Sequence, residues 1–437
     1  MKGFPVLKRL KIQAEDSVRF SPAVRNILAY TSLLRTGGKS GATTQDAARL
    51  VQRLCQTARL ASTEATMRRA EKAIVRHLSS IDPLQIPWGE FLSDYGSSRI
   101  GKAIVLKRHV SSREKGVVFI SFDNQMARLA KSKELLRFAE RYTLVLSPQW
   151  SPPHSVVSYL FPLLYPKEIV CLISNARDLE YFPRLSKKYR MVPLYASSWV
   201  DPSRFRPRPF AEKDIDILMV ANFAKFKRHH AFFAALRKLP RTYRVVLIGQ
   251  SEQGRGKEAV LREAGVFGVQ NRFELRSDVP YAEMPGYFER AKTSIVLSRR
   301  EGSCVVVAES MFANTPVGVY HDAGLGSRAF VNDETGILLQ HRGLAAQLKS
   351  FVESASRYEP RKRVMEDGID CRASSRILNQ ALKEMALDGG GEWTEDIATL
   401  CWRPDPRYYE TSDGERLRAS YEDIEQGCGI GIGPEPR

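Results

Sequence analysis

The sequence predicts an α/β protein with two Rossmann-like domains that face each other across a cleft, and an N-terminal helical extension. Two series of short β-branched runs alternate with helical stretches, one over residues 102–196 and one over residues 216–321. Short apolar runs separated by helices are typical of parallel sheets that are covered on both faces. The segment 197–214 breaks the alternation with three prolines, so it is interpreted as the linker between the domains.

Length and composition agree with a folded protein of several domains. At about 150 residues per domain, 437 residues predict two or three domains with cores that need no disulfide or metal. The six cysteines are far apart and form no C-x-x-C pair, so neither a disulfide framework nor a zinc cluster is expected. No apolar run approaches the roughly 18–20 residues of a membrane span, and the first residues lack the apolar stretch of a secretory signal. We therefore expect a cytoplasmic protein.

Residues 1–95 are predicted to form a basic, partly helical extension. Within residues 44–79, apolar side chains such as Leu50, Val51 and Leu54 recur at three- and four-residue steps, with arginines on the opposite faces. These helices either pack on the body of the protein or lie on a membrane surface. The first 40 residues show no clear periodicity.

The charge of the N-terminal part indicates an anionic partner. Residues 1–110 carry 19 basic and 8 acidic side chains, within a chain of net charge +18. Such a surplus attracts nucleic acid, an anionic membrane surface or an anionic small molecule, and charge alone does not choose among them. The last part of the chain, residues 388–437, is by contrast acidic.

The two α/β series are assigned to separate domains. Residues 96–208 form the first, residues 209–387 form the second, and the glycine-rich tail over residues 388–437 is expected to be largely irregular. Open parallel sheets bind ligands at the carboxyl ends of their strands. The loops that follow the strands of the second series are therefore where chemistry is expected.

The most informative segment covers residues 293–322. A predicted strand ends before the loop that carries Glu301, and a predicted helix that carries Glu309 begins near Cys304. The first N–H groups of a helix lack acceptors and carry a positive partial charge. The amides of residues 303–305 therefore predict a bound phosphate, with the two carboxylates beside it for sugar hydroxyls.

Four segments together resemble the donor domain of family-4 (group 1) glycosyltransferases of the GT-B fold. The two glutamates, separated by seven residues and followed by Asn-Thr-Pro-Val, resemble the donor-site signature of that family. V-D-P-S-R-F-R-P (200–207) resembles the entry into its donor domain, and V-A-N-F-A-K-F-K-R-H-H (220–230) resembles its phosphate-binding loop. V-N-D-E-T-G-I-L-L (331–339) resembles the strand after its active-site helix. The resemblance is good over residues 190–350.

The resemblance implies a retaining transfer of a sugar from a nucleotide sugar to a saccharide or lipid-linked acceptor, with no metal and no other cofactor. Lys227 would neutralise the donor diphosphate, because the charge that develops on the leaving group must be met by a cation and fixed dipoles. Glu301 would contact hydroxyls of the donor sugar, and Glu309 those of the ribose. The other donor-binding positions are Gly302, Ser303 and Cys304, which face the sugar and phosphate, and Arg276, beside the base.

The phosphate-binding loop departs from the family pattern. Ala221 and Asn222 stand where the family has a glycine and an arginine. Asn222 is still expected to be a donor-binding position, and Arg228, next to Lys227, is the candidate for supplying the missing charge. The departure leaves open the alternative that the protein is a scaffold that binds a nucleotide sugar without transferring it.

His154 is the candidate catalytic residue of the first domain. It follows a predicted strand, from where it would orient or deprotonate an acceptor, and the alternative is a structural or surface histidine.

Two other classes of function are disfavoured. Only the charge supports a nucleic-acid-binding protein, so nucleic acid is not expected as a partner. A nicotinamide-dependent enzyme would need a G-x-G-x-x-G after a strand, which is absent.

Overall fold

The computed structural model describes residues 4–36, 38, 41–92, 99–402 and 405–433. The chain forms two compact units, each with its own sheet. The five-stranded unit holds residues 19–196 and 374–437, and the six-stranded unit holds residues 1–18 and 197–373.

The observed units differ from the predicted domains at both ends of the second series. The first boundary falls at 196/197 where the sequence predicted 208/209, and the second falls at 373/374 where it predicted 387/388. The predicted boundary at 95/96 lies outside the described residues.

The sheet of the five-stranded unit is mostly parallel. Its strands, in spatial order, are β1 (Ala103–Lys107), β2 (Gly116–Ser121), β3 (Tyr142–Ser147), β4 (Ile169–Ile173) and β5 (Tyr189–Tyr195). The pairs from β2 to β5 are parallel, as predicted. The pairing of β1 with β2 is antiparallel, which corrects the expectation of a parallel sheet throughout. The connection over residues 108–115 is too short for a crossover helix, so the chain turns back on itself.

Helices surround this sheet. In chain order after α1 (Phe4–Phe20) they are α2 (Pro22–Thr36), α3 (Thr44–Leu60), α4 (Glu64–Leu78), α5 (Met126–Leu129), α6 (Leu135–Arg141), α7 (Val156–Leu164) and α8 (Asp178–Leu185). The apolar faces of α3 and α4 are inside: Leu50, Val51, Leu54 and Ile74 are all buried. The packing interpretation of residues 44–79 is therefore confirmed, and the alternative of a membrane helix that leaves Leu50, Val51 and Leu54 exposed is wrong. Association of the basic outer surface with an anionic membrane stays a prediction.

The structure forms two helices, α1 and α2, where the sequence showed no periodicity. In α1 the side chains of Arg9, Ile12 and Asp16 are half-buried, whereas Leu7 and Leu10 are exposed. The inward face of the helix, which also includes the half-buried Phe20, is thus half polar. An apolar stripe at helical spacing cannot identify a helix of this kind.

The expectation of a largely irregular tail is wrong. The tail contains the hairpin β12 (Leu400–Trp402) and β13 (Pro406–Tyr408), then α16 (Ser412–Arg416) and α17 (Arg418–Cys428). Ile424 and Cys428 lie one turn apart on α17 and enter the core of the five-stranded unit. The Tyr408 hydroxyl donates to the β1 carbonyl of Val105 at 2.6 Å. The acidic composition obscured this apolar spacing.

The six-stranded sheet is parallel throughout, as predicted. Its strands are β6 (Ile215–Val220), β7 (Val245–Gly249), β8 (Glu274–Ser277), β9 (Ala291–Val296), β10 (Val317–Tyr320) and β11 (Gly336–Leu339). Their spatial order is β8-β7-β6-β9-β10-β11, the order of a doubly wound nucleotide-binding sheet. The helices are α9 (His229–Leu236), α10 (Lys257–Phe267), α11 (Met284–Arg290), α12 (Val305–Phe312), α13 (Leu344–Glu353) and α14 (Pro360–Glu366), with α15 (Cys371–Asp388) leading out of the unit.

Two general features complete the fold. None of the helices in the described ranges is long and apolar enough to cross a membrane. All six cysteines are free thiols, five of them buried, so packing accounts for most of them.

The packing of α3 against α4 generates a stability prediction. We expect Leu54→Ala, at a fully buried position, to lower the free energy of unfolding by about 2–5 kcal/mol through lost burial and a cavity. The matched control is Val75→Ala on α4, where the side chain is 54% exposed and the change should stay within about 0.5 kcal/mol. Thermal unfolding of both variants measures this, and equal midpoints would contradict the packing.

Candidate active site

The candidate site lies where the strand order of the six-stranded sheet reverses. β6 and β9 are neighbours there, although β7 and β8 lie between them in the sequence. From β6 the chain continues outward to β7, and from β9 it continues in the opposite direction to β10. Because parallel strands end at the same edge, the loop over residues 221–228 lies beside the loop over residues 297–304.

Lys227 and Glu301 form a buried ion pair between these two loops. The distance from Lys227 Nζ to Glu301 Oε2 is 2.7 Å, and the two side chains are 14% and 8% exposed. Burial by itself would lower the pKa of Lys227, but the carboxylates of Glu301 and Glu252 raise it above its ordinary value. The lysine is therefore a permanently charged cation within the loop cluster.

The second carboxylate oxygen of Glu301 is able to accept a further hydrogen bond. Among the described residues, Glu301 Oε1 is buried and accepts no hydrogen bond. A buried carboxylate oxygen without a donor is costly, and a ligand hydroxyl would satisfy it. Glu301 can thus hold Lys227 with one oxygen and accept from a ligand with the other.

The loop that carries Glu301 is fixed by the loop that follows β10. The Glu301 N–H donates to the Gly324 carbonyl at 3.0 Å, and the Gly302 carbonyl accepts from the Gly326 N–H at 3.0 Å. The Ser303 hydroxyl contacts the hydroxyl of Ser197 at 2.7 Å. These bonds hold the loop in one conformation before any ligand arrives.

Cys304 stands at the start of α12 with a left-handed backbone, φ 57°. The amides of Val305 and Val306 that follow it open the helix and have no intrahelical acceptor. Burial, helped by Glu301, raises the pKa of the Cys304 thiol well above its usual range, so it remains a neutral thiol. The helix start therefore offers N–H donors without a competing negative charge from the cysteine.

Glu309 is held by two residues from outside its own helix. Its Oε1 accepts from the Tyr281 hydroxyl at 2.9 Å, and the Arg204 guanidinium stacks 4.0 Å from the centre of the Tyr281 ring. Burial raises the pKa of Glu309, and Tyr281 and Arg204 only partly oppose this effect. A buried carboxyl group of this kind favours partners that donate hydrogen bonds, such as ligand hydroxyls.

The structure places Asn222 in a backbone role. Its side-chain carbonyl accepts from the Ala224 N–H and its amide donates to Glu252, both at 3.4 Å. Asn222 thus shapes the turn that leads to Lys227 and brings no charge. Arg276 is paired with Glu274 on β8 and its side chain is 56% exposed, so its role beside the base stays a prediction.

Arg228 is already engaged by a carboxylate. It has a left-handed backbone, φ 58°, and it donates to both oxygens of Asp16 on α1, from Nε at 3.0 Å and from Nη2 at 2.7 Å. His230 lies 3.5 Å from the same carboxylate. The charge of Arg228 is thus already paired with Asp16. Its donor-binding role stays a prediction, and these contacts favour Lys227 over it.

His154 lies in the five-stranded unit with its side chain fully buried. Its Nε2 contacts Glu71 Oε1 at 2.7 Å, and Glu71 is also held by Arg184. Burial lowers the pKa of His154 despite the neighbouring carboxylate. These contacts match the structural alternative for this histidine, and the catalytic role has no further support.

Sequence reasoning missed three residues that support the cluster: Asp16, Arg204 and Tyr281. Tyr281 follows β8 and Arg204 lies in the segment that resembles a domain entry, so both stood near recognised signals. Asp16 gave no signal, because it lies on a helix without apolar periodicity. No group of three or more His, Cys, Asp or Glu side chains in the described parts of the chain is arranged to hold a metal ion. The expectation of a metal-free reaction stays a prediction.

Residues 201–369 match the sequence model of a family described as Glycosyl transferases group 1. The match covers less than half of the chain and includes the Lys227–Glu301 pair and Glu309. The coarser part of the resemblance, to group 1 glycosyltransferases, is thus confirmed for this segment, and the assignment to family 4 stays a prediction. A comparison with proteins of curated function finds no match.

The chain is similar to several solved structures of low sequence identity. TarM of S. aureus, in a complex with Fondaparinux, alpha-GlcNAc-glycerol and UDP, is 12% identical with a TM-score of 0.48, over 60% of this chain and 54% of that one. Anabaena HepE in complex with UDP is 15% identical with a TM-score of 0.49, over 62% and 78%. Sucrose-phosphate synthase from Thermosynechococcus elongatus is 14% identical with a TM-score of 0.49, over 74% and 80%. This chain therefore spans about half the length of TarM.

The fold-class prediction is confirmed for two α/β units with largely parallel sheets and an N-terminal helical region. How the two units face each other stays a prediction.

The contact between Asp16 and Arg228 generates a prediction about α1. Burial alone would raise the pKa of Asp16, but its bonds to His230 and Arg228 lower it to about 2. The contribution of the carboxylate to stability is therefore complete above pH 4 and is lost as the pH falls towards 2. At neutral pH we expect Asp16→Asn to destabilise the protein by on the order of 3 kcal/mol, because Arg228 loses a charged partner.

The control for this variant is the neighbouring acid on the same helix. The Glu15 side chain is 60% exposed, and its Oε1 lies as far as 4.0 Å from Lys11 Nζ, which makes a weak surface ion pair. Glu15→Gln should therefore leave thermal unfolding almost unchanged. Equal effects of the two substitutions would show that Asp16 does not hold α1.

Proposed function

We propose that the protein is a glycosyltransferase that moves a sugar from a nucleoside diphosphate sugar to a saccharide or lipid-linked acceptor, with retention of configuration and without a metal. The observation that carries the proposal is the buried Lys227–Glu301 pair beside the start of α12, at the reversal point of a doubly wound sheet. The match of residues 201–369 to group 1 glycosyl transferases supports the same conclusion.

In the proposed reaction, the donor diphosphate binds beside Lys227. The ammonium group of Lys227 has three N–H donors. One donates to Glu301, so the other two remain for phosphate oxygens. When the bond from the sugar to the diphosphate breaks, negative charge grows on the leaving oxygen. A fixed cation in a partly buried site stabilises that charge more than it would in water.

The start of α12 supplies the second stabilising element. Its free N–H groups and the positive end of its dipole favour a phosphate or a sugar hydroxyl at this point. Glu301 accepts from hydroxyls of the donor sugar through the oxygen that does not face Lys227. The hydrogen bonds between the loops after β9 and β10 hold these groups in place, so little reorganisation is needed during the reaction.

Glu309 is proposed to bind the ribose hydroxyls of the nucleotide. Its position one to two turns into α12, away from Lys227 along the helix, suits the nucleoside end of the donor. Tyr281 keeps the carboxyl group in place, and Arg204 holds Tyr281. Uridine diphosphate is the first nucleotide to test, because two of the compared proteins are described in complex with it.

The second candidate function is a scaffold that binds a nucleotide sugar without transferring it. The observation that favours it is Asn222, a neutral side chain where group 1 enzymes of the recognised pattern carry an arginine. The two functions share the donor site and differ only in turnover.

Donor binding is tested with Lys227→Ala. We expect the affinity for uridine diphosphate, measured by isothermal titration calorimetry, to fall by about 1.5–3 kcal/mol, the usual worth of a charge-assisted contact. Lys225→Ala is the matched control, since Lys225 lies two residues away on the same turn and is exposed. A comparable loss in both variants would mean that the general charge of the loop, and not Lys227, binds the nucleotide.

Turnover is tested with Glu301→Gln, which keeps the size of the side chain and removes its charge. If the protein is a transferase, kcat should fall by more than about tenfold, because the substitution removes the charged contact to the donor sugar and the carboxylate that keeps Lys227 charged. The measurement is release of nucleoside diphosphate from a panel of nucleotide sugars with acceptor mixtures. Unchanged kcat would remove Glu301 from the mechanism, and nucleotide binding without any turnover in the unmodified protein would favour the scaffold.

A further inference from the structure

The five-stranded unit carries an open apolar groove that takes no part in the site described above. Its volume is about 880 Å³, and three separate stretches of chain line it, over residues 82–89, 130–136 and 163–164. The volume falls within the range of about 300–1,000 Å³ that is usual for sites of small organic ligands.

Exposed leucines from all three stretches meet in this groove. Leu84 is 85% exposed, Leu136 is 61% exposed and Leu163 is 36% exposed. Single exposed leucines are common on protein surfaces, but leucines that converge from distant parts of a sequence form a continuous apolar patch. Water in contact with such a patch is displaced favourably by a hydrocarbon ligand.

The floor of the groove is formed by residues of the core. Ile86, Trp88 and Leu135 line it and are all buried, and Trp88 packs edge-on against Phe161 of α7 at 6.5 Å. The lining is therefore mainly aliphatic, with one aromatic ring. A flat sugar or base is usually held between aromatic faces, whereas a flexible aliphatic chain is accommodated by a wall of leucines.

One margin of the groove is basic. Lys131 and Lys133 both line it and are exposed. The turn between them is fixed, because the Ser132 hydroxyl donates to the Cys428 carbonyl at 2.5 Å. The acid in the lining, Asp82, already accepts from the Leu84 N–H at 3.0 Å and from the Gln85 side chain at 2.8 Å. The two lysines are thus available to an anionic group.

We propose that this groove binds the aliphatic chain of an anionic amphiphile, with the chain on the leucines and a phosphate or carboxylate head at Lys131 and Lys133. The two lysines complement the charge of the head group, and the aliphatic lining fits the tail. The groove belongs to the five-stranded unit and the donor-site residues to the other unit, so the inference goes beyond the proposed function and does not rest on it. Binding of the chain itself requires no donor.

The first experiment measures binding of monododecyl phosphate to the full chain by isothermal titration calorimetry, below the micelle concentration of the ligand. We expect one site per chain. Dodecyl maltoside, with the same tail and a neutral head, should bind at least about tenfold more weakly, and butyl phosphate, with the head and a short tail, should show no measurable heat. Equal binding of the two dodecyl compounds would overturn the assignment of the lysines.

The second experiment uses surface variants that leave the fold intact. Leu84→Asn with Leu136→Asn should weaken binding by at least about tenfold, because two apolar contacts are lost. The matched control is Leu179→Asn, since Leu179 is 42% exposed on α8 and outside the groove. Lys131→Ala with Lys133→Ala should reduce the salt dependence of binding, whereas Lys187→Ala, at another exposed lysine of the unit, should not.

Two results would overturn the inference. One is that the double leucine variant and its control bind alike. The other is that sedimentation shows a dimer of the chain that the leucine substitutions separate, which would make the groove an interface between two copies. Uridine diphosphate binding, measured on the same samples, separates the proposals: nucleotide binding without amphiphile binding leaves the proposed transfer standing and removes only the groove.

Discussion

Parallel pairing of β6 with β9 brings together the ends of two strands that β7 and β8 separate in the sequence. Because parallel strands end at the same edge of the sheet, the loops that follow β6 and β9 meet there, before the helices α9 and α12. Lys227 comes from one of these loops and Glu301 from the other. A change of register between the two strands would separate the pair, so the candidate site depends on this pairing more than on any single side chain.

The ion pair also explains how a cation can be kept inside the protein before a ligand arrives. A buried ammonium group loses the water that stabilised it, and an unpaired one would lose its proton. The negative charge of Glu301 compensates for the lost hydration and keeps Lys227 charged. In the proposed function, a diphosphate would meet a cation that is already in position, and the second oxygen of Glu301 would accept a hydrogen bond from the sugar. Arg228 is balanced in a similar way by Asp16, but that pair attaches α1 to α9.

Much of the fold was predictable because the signals were local. β-Branched runs identified the strands of both sheets, and the spacing of the two glutamates located α12 and the loop before it. The failures have physical reasons. α1 packs through a face that mixes polar and apolar residues, β1 reverses direction because its connection is short, and the tail carries its apolar residues within an acidic sequence. Each depends on tertiary contacts that no short window of sequence contains.

The same distinction applies to the site. Glu301 was found because it follows a recognisable strand, and Lys227 was found because the loop after β6 resembles the phosphate-binding loop of group 1 glycosyltransferases. The residues that support the neighbouring Arg228 and Glu309 were not found, since Asp16, Arg204 and Tyr281 act through contacts between distant segments. The burial of His154 was also invisible, because its partner Glu71 comes from α4, far away in the sequence.

The most direct test of the account is a crystal structure of the protein with uridine diphosphate bound. The account predicts that the diphosphate lies at the edge of the six-stranded sheet, with a phosphate oxygen within about 3 Å of Lys227 Nζ, near the first N–H groups of α12, and with the ribose hydroxyls at Glu309. A nucleotide bound elsewhere, or one bound with Lys227 still facing only Glu301, would contradict it.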